Sequence, residues 1–284
     1  MDIYRNDLRS IDNIDNIDLK NIIDCDDLIG LNRNSIEYRM VECKKEKLQL
    51  LDLSDVKDCM KSLIILDEYH DICNNLECLF INDATLHSFD CSVFKKLNIL
   101  DLSNNKINVL NLSNSIEELT INDNPIKKLT GGNLKRLKAI NCELKSLKGL
   151  IKLKSLYLSN TCISVLENLP QLEYLDISNT KIVSLPHLEK LKYLNCSDTK
   201  IQRVENLENL EHLICTKSSV SVILNLPKLN ILEIVDSLLH NIPYMNKLDT
   251  IIYNNNLNIS TKYKILRKKQ NKNNISEVQL LAQS

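Results

Sequence analysis

The chain has 284 residues, of which 43% are hydrophobic, so it can bury a large core and is too apolar to be a disordered tail. Its 36 basic and 37 acidic residues give a net charge of −1, which excludes the strong overall field that attracts nucleic acid or an anionic membrane. The sequence contains no apolar run long enough to span a membrane and no apolar signal-peptide core at its start. Its ten cysteines are therefore predicted to be reduced thiols in an intracellular, cytoplasmic protein.

Residues 1–47 are predicted to form an amino-terminal flank or cap that is partly helical. Apolar residues between Leu19 and Leu31 recur at roughly helical spacing, as in a helix that covers the open end of a sheet. A second interpretation rests on residues 18–33, DLKNIIDCDDLIGLNR, whose helix, Asp-Leu and basic residue distantly resemble the F-box motif. That resemblance implies docking to a ubiquitin-ligase adaptor. The sequence leaves both interpretations open.

A repeated unit begins after this flank and dominates the chain. The segment LQLLDLSDV from Leu48 starts like the later units, although the phase is irregular over residues 48–75. Further along, six leucines recur with the same sequence spacing between each one and the next, namely Leu153, Leu172, Leu191, Leu210, Leu229 and Leu248. Successive units have the sequences LKSLYLSNTCISVL, LEYLDISNTKIVSL, LKYLNCSDTKIQRV, LEHLICTKSSVSVI and LNILEIVDSLLHNI. Upstream, LNILDLSNNKINVL from Leu97 and IEELTINDNPIKKL from Ile116 fit the same template.

These units resemble the leucine-rich-repeat family, whose consensus is LxxLxLxxNxL. The resemblance covers roughly residues 76–256 in about ten units, and the short unit is most similar to the bacterial-type class. It implies an α/β solenoid that is mostly β: a curved coil with a parallel concave sheet, short turns or 3-10 segments on the convex side and small helical caps. The solenoid is predicted to span residues 48–258. The composition, rich in Asn, Ile, Lys and Asp, is similar to that of such proteins from giant viruses and other AT-rich genomes.

The spacing of the apolar residues explains why such a unit must stack. The first, fourth and sixth residues point inward from a short strand, and the third and fifth point outward. A single turn of this length cannot bury enough apolar surface to offset the conformational entropy of ordering it. Neighbouring repeats must therefore supply the missing contacts and backbone hydrogen bonds.

The ninth position of the unit varies along the chain. The family places a buried Asn there, whose amide satisfies backbone groups at the bend. Asn105, Asn124 and Asn256 match, whereas Thr161, Thr180, Thr199, Ser218 and Ser237 depart from the consensus. A hydroxyl offers fewer hydrogen bonds than an amide, so the central ladder is predicted to differ chemically.

One unit is irregular in this alignment. LKAINCELKSL, aligned on Leu137, omits three residues, so the next repeat, from Leu153, starts earlier than the common interval requires. The unit before it, from Ile116, is correspondingly long and contains Gly131 and Gly132. These features predict a kink near residues 130–145.

Residues 259–284 lose the repeat pattern. They contain a basic run, formed by Lys262, Lys264, Arg267, Lys268, Lys269 and Lys272, and then a short apolar segment. Charge runs usually face water, so this segment is predicted to be a carboxy-terminal cap helix.

The residues that could carry chemistry do not form a recognisable catalytic centre. Cys142, Cys196 and Cys215 are predicted to occupy the inward sixth position, where free Cys behaves as a small apolar residue. His70, Cys73, Cys78, His87 and Cys91 lie close together in the sequence, but their spacing is looser than known zinc patterns, so no metal is predicted. No Gly-rich phosphate loop occurs, and His212 has no nucleophile beside it in the register. The sequence therefore predicts a non-enzymatic protein without a cofactor.

The concave face is the predicted binding surface. Third-position residues are predicted to be Cys78, Ile99, Glu118, Ala139, Ser155, Tyr174, Tyr193, His212, Ile231 and Thr250, and fifth-position residues Phe80, Asp101, Thr120, Asn141, Tyr157, Asp176, Asn195, Ile214, Glu233 and Ile252. Neighbouring strands lie ~4.8 Å apart, which places four aromatic side chains side by side. The predicted partner-binding residues are Tyr157, Tyr174, Asp176, Tyr193, His212, Ile214, Ile231 and Glu233.

These residues predict a protein–protein interaction scaffold that is monomeric. Tyrosine is enriched at binding hot spots. Carboxylates at Asp101, Asp176, Glu233 and Asp236 favour a protein partner of basic character rather than nucleic acid or a membrane. The alternative is a substrate-receptor subunit of a ubiquitin ligase, which would combine the F-box-like segment with the repeats.

Overall fold

The structure is a computed structural model that describes residues 36–54, 70–254, 258–259, 263–270 and 275–282. The F-box-like residues 18–33 and Asn256 lie outside these described residues. Within them, thirteen strands form one large sheet. In sheet order they are β1 (Leu50–Asp52), β2 (Cys78–Phe80), β3 (Ile99–Asp101), β5 (Glu118–Thr120), β7 (Arg136–Lys138), β8 (Ser155–Tyr157), β9 (Tyr174–Asp176), β10 (Tyr193–Asn195), β12 (His212–Ile214), β14 (Ile231–Glu233), β16 (Thr250–Asn254), β19 (Ile275–Ala282) and β18 (Tyr263–Gln270).

The strands from β1 to β16 pair in parallel, and from β3 onward the sequence offset between paired strands is nearly constant. In the central repeats Leu156 pairs with Leu175, and Leu175 pairs with Leu194, each exactly one repeat further along the chain. One turn of chain therefore adds one strand. The described part of the chain is thus a mostly β parallel solenoid, which confirms the predicted fold class. The strand that begins the repeat at Leu48 is also in register, because Leu51 pairs with Leu79.

The core follows the predicted spacing. In the repeat from Leu172, that residue, Leu175 and Ile177 at positions one, four and six are fully buried. On the opposite side of the coil, Ile182 and Leu188 are also buried. Each such side chain contributes about 2 kcal/mol of burial free energy. The same leucines therefore link each repeat to the repeats before and after it.

The convex side is built from extended chain. Three small parallel sheets lie there among the described residues. They pair β4 (Val109–Leu112) with β6 (Lys128–Gly131), β11 (Arg203–Glu205) with β13 (Val222–Leu224), and β15 (Asn241–Ile242) with β17 (Asn258–Ile259). A repeat this short leaves little room for a full helix on this side. The extended convex segments follow from that shortage.

Among the described residues, two helices lie beside the first strands. They are α1 (Ile36–Glu46) and the short α2 (His70–Cys73). Met40 of α1 is fully buried, and Arg39 Nη1 donates a hydrogen bond of 2.6 Å to the carbonyl oxygen of Asp52 in β1. The helix thus covers the amino-terminal end of the core. In the described part of the chain, neither helix has the length and apolar character needed to span a bilayer.

The predicted alignment of the repeat in the middle of the solenoid is wrong. Leu137 pairs with Leu119 and Leu156, both at the fourth position of their repeats, so the repeat begins at Leu134 and not at Leu137. The step from Leu119 to Leu137 is only one residue shorter than the step from Leu137 to Leu156. The strands pair without interruption through this region. The kink near residues 130–145 stays a prediction.

The corrected register changes which residues face the concave side. Ala139 occupies the inward sixth position and is fully buried, and Asn141 lies in the following turn with a φ of 57°. Arg136 and Lys138 instead take the outward third and fifth positions that the sequence prediction had assigned to Ala139 and Asn141. Cys142 lies at the ninth position, where its Sγ donates to the carbonyl oxygen of Ile121 at 3.1 Å. A thiol therefore replaces the ninth-position amide of this repeat.

The ninth-position asparagines link successive repeats. The buried Nδ2 of Asn105 donates to the carbonyl oxygens of Ile81 (2.7 Å) and Leu102 (2.9 Å). Its Oδ1 accepts from the backbone amides of Ala84 (3.2 Å) and Leu86 (2.9 Å). Three of these four partners belong to the preceding repeat. The amide therefore connects two turns of the coil.

The hydroxyls that replace asparagine make fewer bonds. Thr180 Oγ1 donates only to the carbonyl oxygen of Ile177, at 2.7 Å, and Thr199 Oγ1 donates to that of Cys196, at 2.6 Å. Both acceptors lie three residues earlier in the same repeat. The central repeats are therefore joined by strand pairing and apolar contacts. Their ninth-position side chains add fewer hydrogen bonds between repeats than asparagine does.

The carboxy-terminal segment is not the predicted helix. Residues 263–270 and 275–282 form β18 and β19, which pair with each other and are antiparallel. Strand β19 also pairs with β16, the last strand of the solenoid. The physical reason is the open edge of β16, whose backbone groups need partners that a helix could not supply. Lys264, Arg267, Lys268 and Lys269 of the basic run lie on β18, the outermost strand of the sheet.

Candidate functional site

Four aromatic side chains form a continuous row on the concave face. This aromatic row consists of Tyr157, Tyr174, Tyr193 and His212. Tyr174 and Tyr193 lie at the same position of paired strands, and their rings stack with centroids 4.0 Å apart and planes at 4°. Tyr157, on β8, lies diagonally across from Tyr174 on the neighbouring strand β9. The planes of these two rings are therefore tilted by 34°, and their centroids lie 5.2 Å apart. His212 meets Tyr193 edge to face at 5.0 Å.

The structure brings together the aromatic residues that the sequence predicted as binding residues. All four are half-buried, as are Ile214 and Ile231 beside them. Because the central ring faces cover each other, the row presents ring edges to solvent rather than open faces. Ring edges carry partial positive charge and suit contacts with side chains. They are poorly placed to stack on a base or a sugar ring.

A charged group stands at each end of the row. Lys138 Nζ lies 5.3 Å from the centroid of Tyr157, within the range of a cation–π contact. At the other end, His212 Nε2 lies 3.0 Å from Glu233 Oε1. Next to Lys138 on the same strand, Arg136 Nε lies 3.3 Å from Glu118 Oε2. The sequence prediction missed Arg136 and Lys138 because it misplaced their repeat by three residues.

Several fifth-position polar residues serve the fold. Asp176 is only 5% exposed, and its Oδ1 accepts from the backbone amide of Ser178 at 2.9 Å. Asn195 makes the same contact with Ser197, at 3.1 Å. The prediction that Asp176 faces a partner therefore needs correction, since its carboxylate closes the turn after β9. The pattern Asp or Asn, any residue, Ser was the sequence signal for this role.

Asp101 shows the same arrangement. Its Oδ1 accepts from both the amide (2.9 Å) and the hydroxyl (2.6 Å) of Ser103. Burial raises the pKa of the Asp101 carboxyl, although the hydrogen bonds from Ser103 act in the opposite direction. This carboxylate is thus held by its own turn, and it is a weaker feature of the concave surface than the sequence suggested.

The sixth-position cysteines are core residues. Cys196 and Cys215 are fully buried, as predicted. Burial raises the pKa of the Cys215 thiol to about 12 and the pKa of Cys196 well above its usual range. A thiol that stays protonated is a poor nucleophile and a poor metal ligand.

Cys78, His87 and Cys91, near the first repeats, lie in different environments. Cys91 is buried, and burial raises its pKa to about 12, whereas His87 is exposed. Cys78 lies on the concave strand β2, where burial also raises its pKa. Across the described ranges, no three His, Cys, Asp or Glu side chains are arranged to hold a metal ion.

Thiol reactivity checks these positions. We expect an alkylating reagent to modify the exposed Cys162 at least about 100-fold faster than Cys196 or Cys215, because the buried thiols need unfolding to react. Peptide mass spectrometry at successive times measures each site. All three should react in denaturant. Rapid modification of Cys196 in the native protein would contradict the assignment of the sixth position to the core.

Comparisons with known proteins agree with this architecture. The family model described as "Leucine Rich repeats (2 copies)" matches residues 151–190. No curated protein sequence matches the chain significantly. A chain in the crystal structure of the LRIM1/APL1C complex is similar, with a TM-score of 0.58 and 19% identity over 70% of this chain and 46% of that one. The leucine-rich repeat domain of APL1B gives a TM-score of 0.50 and 14% identity over 77% and 70%.

These matches support a leucine-rich-repeat fold. This chain spans less than half the length of the chain that it matches in the LRIM1/APL1C complex. The parallel ladder, the inward leucines and the family match at residues 151–190 together have one explanation. The described part of the chain has the leucine-rich-repeat fold, which confirms the resemblance noted in the sequence.

Proposed function

We propose that this protein is a non-enzymatic scaffold that binds a protein partner through the concave face of its solenoid. The observation that carries the proposal is the aromatic row, together with Ile214 and Ile231 beside it. Contiguous apolar side chains at a surface mark interaction sites more often than scattered ones do. Tyrosine and histidine combine contact area with a polar group, which suits a hot spot.

The chemistry of the row favours protein over other macromolecules. The stacked rings of Tyr174 and Tyr193 expose edges, which pack against side chains, and the chain as a whole carries a net charge of only −1. The similar LRIM1/APL1C structure is that of a complex, which supports an interaction role for this fold.

We propose a partner surface of mixed charge. The sequence favoured a basic partner because of the acidic residues on this face. However, Asp101 and Asp176 are held by their own turns, and Lys138 and Arg136 add positive charge at one end of the row. Glu233 remains at the opposite end. A fitting partner thus offers acidic groups near Lys138 and basic groups near Glu233.

Replacing Tyr174 and Tyr193 together by alanine tests the proposal. We expect the bound amount of any true partner to fall at least about tenfold, since hot-spot residues dominate affinity. The melting temperature should change little, because both rings are half-buried on the surface. Quantitative affinity purification from native cells, with mass spectrometry, measures binding.

The control is Val165→Ala with Val183→Ala, two convex residues that are 70% and 57% exposed. We expect that some captured proteins bind to this control variant but no longer bind to the tyrosine variant. Identical protein sets for both variants, or a large loss of stability in the tyrosine variant, would count against the concave face.

A further inference from the structure

The charge of the concave face changes sign from one end of the aromatic row to the other. Strands β7, β8, β9, β10, β12 and β14 are consecutive neighbours in the sheet, and we call their outward surface the six-strand strip. One end of the strip carries the basic Arg136 and Lys138, and the opposite end carries the acidic Glu233. The aromatic row and Ile214 lie between these ends. A ligand that lies along the strip therefore meets a basic end, an apolar middle and an acidic end.

The polar residues in the middle of the strip are directed into the protein. Asp176 and Asn195, at the fifth positions of β9 and β10, are only 5% and 4% exposed. Their Oδ1 atoms accept hydrogen bonds from the backbone amides of Ser178 and Ser197. The surface of the middle is therefore formed mainly by the edges of the tyrosine rings, which suit contacts with side chains.

The concave curvature of the sheet selects the shape of the ligand. In a curved solenoid sheet, a broad or flat partner meets the outer strands before it reaches the middle of the concave face. A flexible segment of chain is slender enough to reach the strip, and it bends to follow the curve. The curvature thus favours an unstructured segment of a partner over the surface of a folded domain.

The size of the strip favours the same kind of ligand. Six strands spaced ~4.8 Å apart extend about 24 Å, and three residues of strand extend about 10 Å. The projected area of about 240 Å² is well below the ~800 Å² per partner that is typical of two folded proteins. A short segment can cover this area completely, and its binding is expected to be weak.

We propose that the six-strand strip binds an extended, unstructured segment of the partner protein that runs across the strands. In this segment an acidic residue lies over Lys138, a basic residue lies over Glu233, and apolar side chains between them contact the tyrosines. This inference rests on the proposed function, because it names the part of the partner that the concave face binds. Its basis is the complementarity of charge and of shape.

The distance between the two charged ends sets the spacing within the segment. An extended chain advances ~3.3 Å per residue and directs alternate side chains to the same face. Residues six or eight positions apart therefore face the strip together and lie about 20 or 26 Å from each other, on either side of the roughly 24 Å between β7 and β14. An acidic and a basic residue at one of these two spacings define the segment.

Short peptides with blocked ends test the inference. The probes have Glu at one end and Lys at the other, at each of the two spacings, with Leu at every second position between them and Ser elsewhere. The control peptide contains the residues of the longer probe, but a single Ser separates its Glu from its Lys. We expect at least one probe to bind at least about tenfold more tightly than the control. NMR titration of the full chain with ¹³C-labelled tyrosine rings measures the dissociation constants.

Lys138→Glu gives the strip two acidic ends and should change the preferred peptide. We expect this variant to bind the probes at least about tenfold more weakly than the wild type does, and to bind a peptide with Lys at both ends at least about tenfold more tightly. Lys152→Glu is the matched control, because this lysine lies outside the strip, where its Nζ donates to Asn133 Oδ1 at 3.0 Å. It should bind every peptide like the wild type.

Circular dichroism melting checks that each variant folds. If Lys138→Glu fails to fold, the salt dependence of the wild type replaces it: raising the ionic strength from about 0.05 to about 0.5 M should weaken binding of the probes.

Two results would overturn the inference: probes that bind no better than the control peptide at concentrations up to about 1 mM, or a folded Lys138→Glu variant with the same peptide preference as the wild type. Failure of the proposed function is distinguishable, because captured proteins report on it. If the probes fail but Tyr174→Ala with Tyr193→Ala still loses captured proteins, only the extended segment is refuted. If the probes fail and the captured proteins are unchanged, both are refuted.

Discussion

Ala139→Glu should unfold most of the solenoid, lowering the free energy of unfolding by about 4 kcal/mol or more. Ala139 is fully buried at the inward sixth position, between Ile121 and Leu158 of the neighbouring repeats. A glutamate there places a charged group among apolar side chains and exceeds the available volume. Urea unfolding followed by circular dichroism measures the loss.

The control for this prediction is the preceding residue. Lys138 points outward from the same strand and is half-buried, so Lys138→Gln should change the free energy of unfolding by less than about 1 kcal/mol. The sequence alignment from Leu137 implies a different outcome, with Ala139 on the concave surface. A stable, folded Ala139→Glu variant would therefore restore that alignment and contradict the register of β7.

The misplacement of this repeat has a physical cause. LKRLKAINCELKSL supplies leucines at both Leu134 and Leu137, three residues apart, and either one satisfies an inward position. The sixth and ninth positions, which would decide between them, carry Ala139 and Cys142 rather than a large apolar residue and asparagine. Only the packing of neighbouring repeats selects the register. Leu119 and Leu156, both at the fourth position of their repeats, pair with Leu137, so Leu137 also takes the fourth position.

Most of the fold could be predicted because it depends on local spacing. Inward leucines that recur at a constant sequence interval require a coil. The aromatic row follows from the same interval, because Tyr174 and Tyr193 lie at the same position of successive repeats. The role of Asp176 could not be predicted by alternation, since that rule treats every fifth residue as exposed. Its burial depends on the backbone amide of Ser178, two residues later.

The carboxy-terminal strands illustrate another limit. A basic run is compatible with a helix, and composition favours neither state strongly. The deciding factor is the open edge of β16, which exists only once the solenoid has formed. Such a long-range requirement is absent from any local window of sequence.

Asn105→Ala should lower the free energy of unfolding by about 3–4 kcal/mol. The substitution leaves the carbonyl oxygens of Ile81 and Leu102 and the amides of Ala84 and Leu86 without their side-chain partner in a buried bend. Because most of these groups belong to the preceding repeat, the loss falls on the contact between repeats. Urea unfolding gives the magnitude, and native-state hydrogen exchange gives its location.

The repeats with hydroxyls supply the matched control. Thr180→Val removes one hydrogen bond, to the carbonyl oxygen of Ile177 in the same repeat, so we expect a loss of only about 1 kcal/mol. Asn105→Thr, which copies the central repeats, should fall between these values. Since stability in a solenoid depends on coupling between neighbours, Asn105→Ala should also accelerate exchange in the repeats before Asn105 more than in those after it. Equal losses for Asn105→Ala and Thr180→Val would mean that strand pairing and apolar contacts alone hold the turns together.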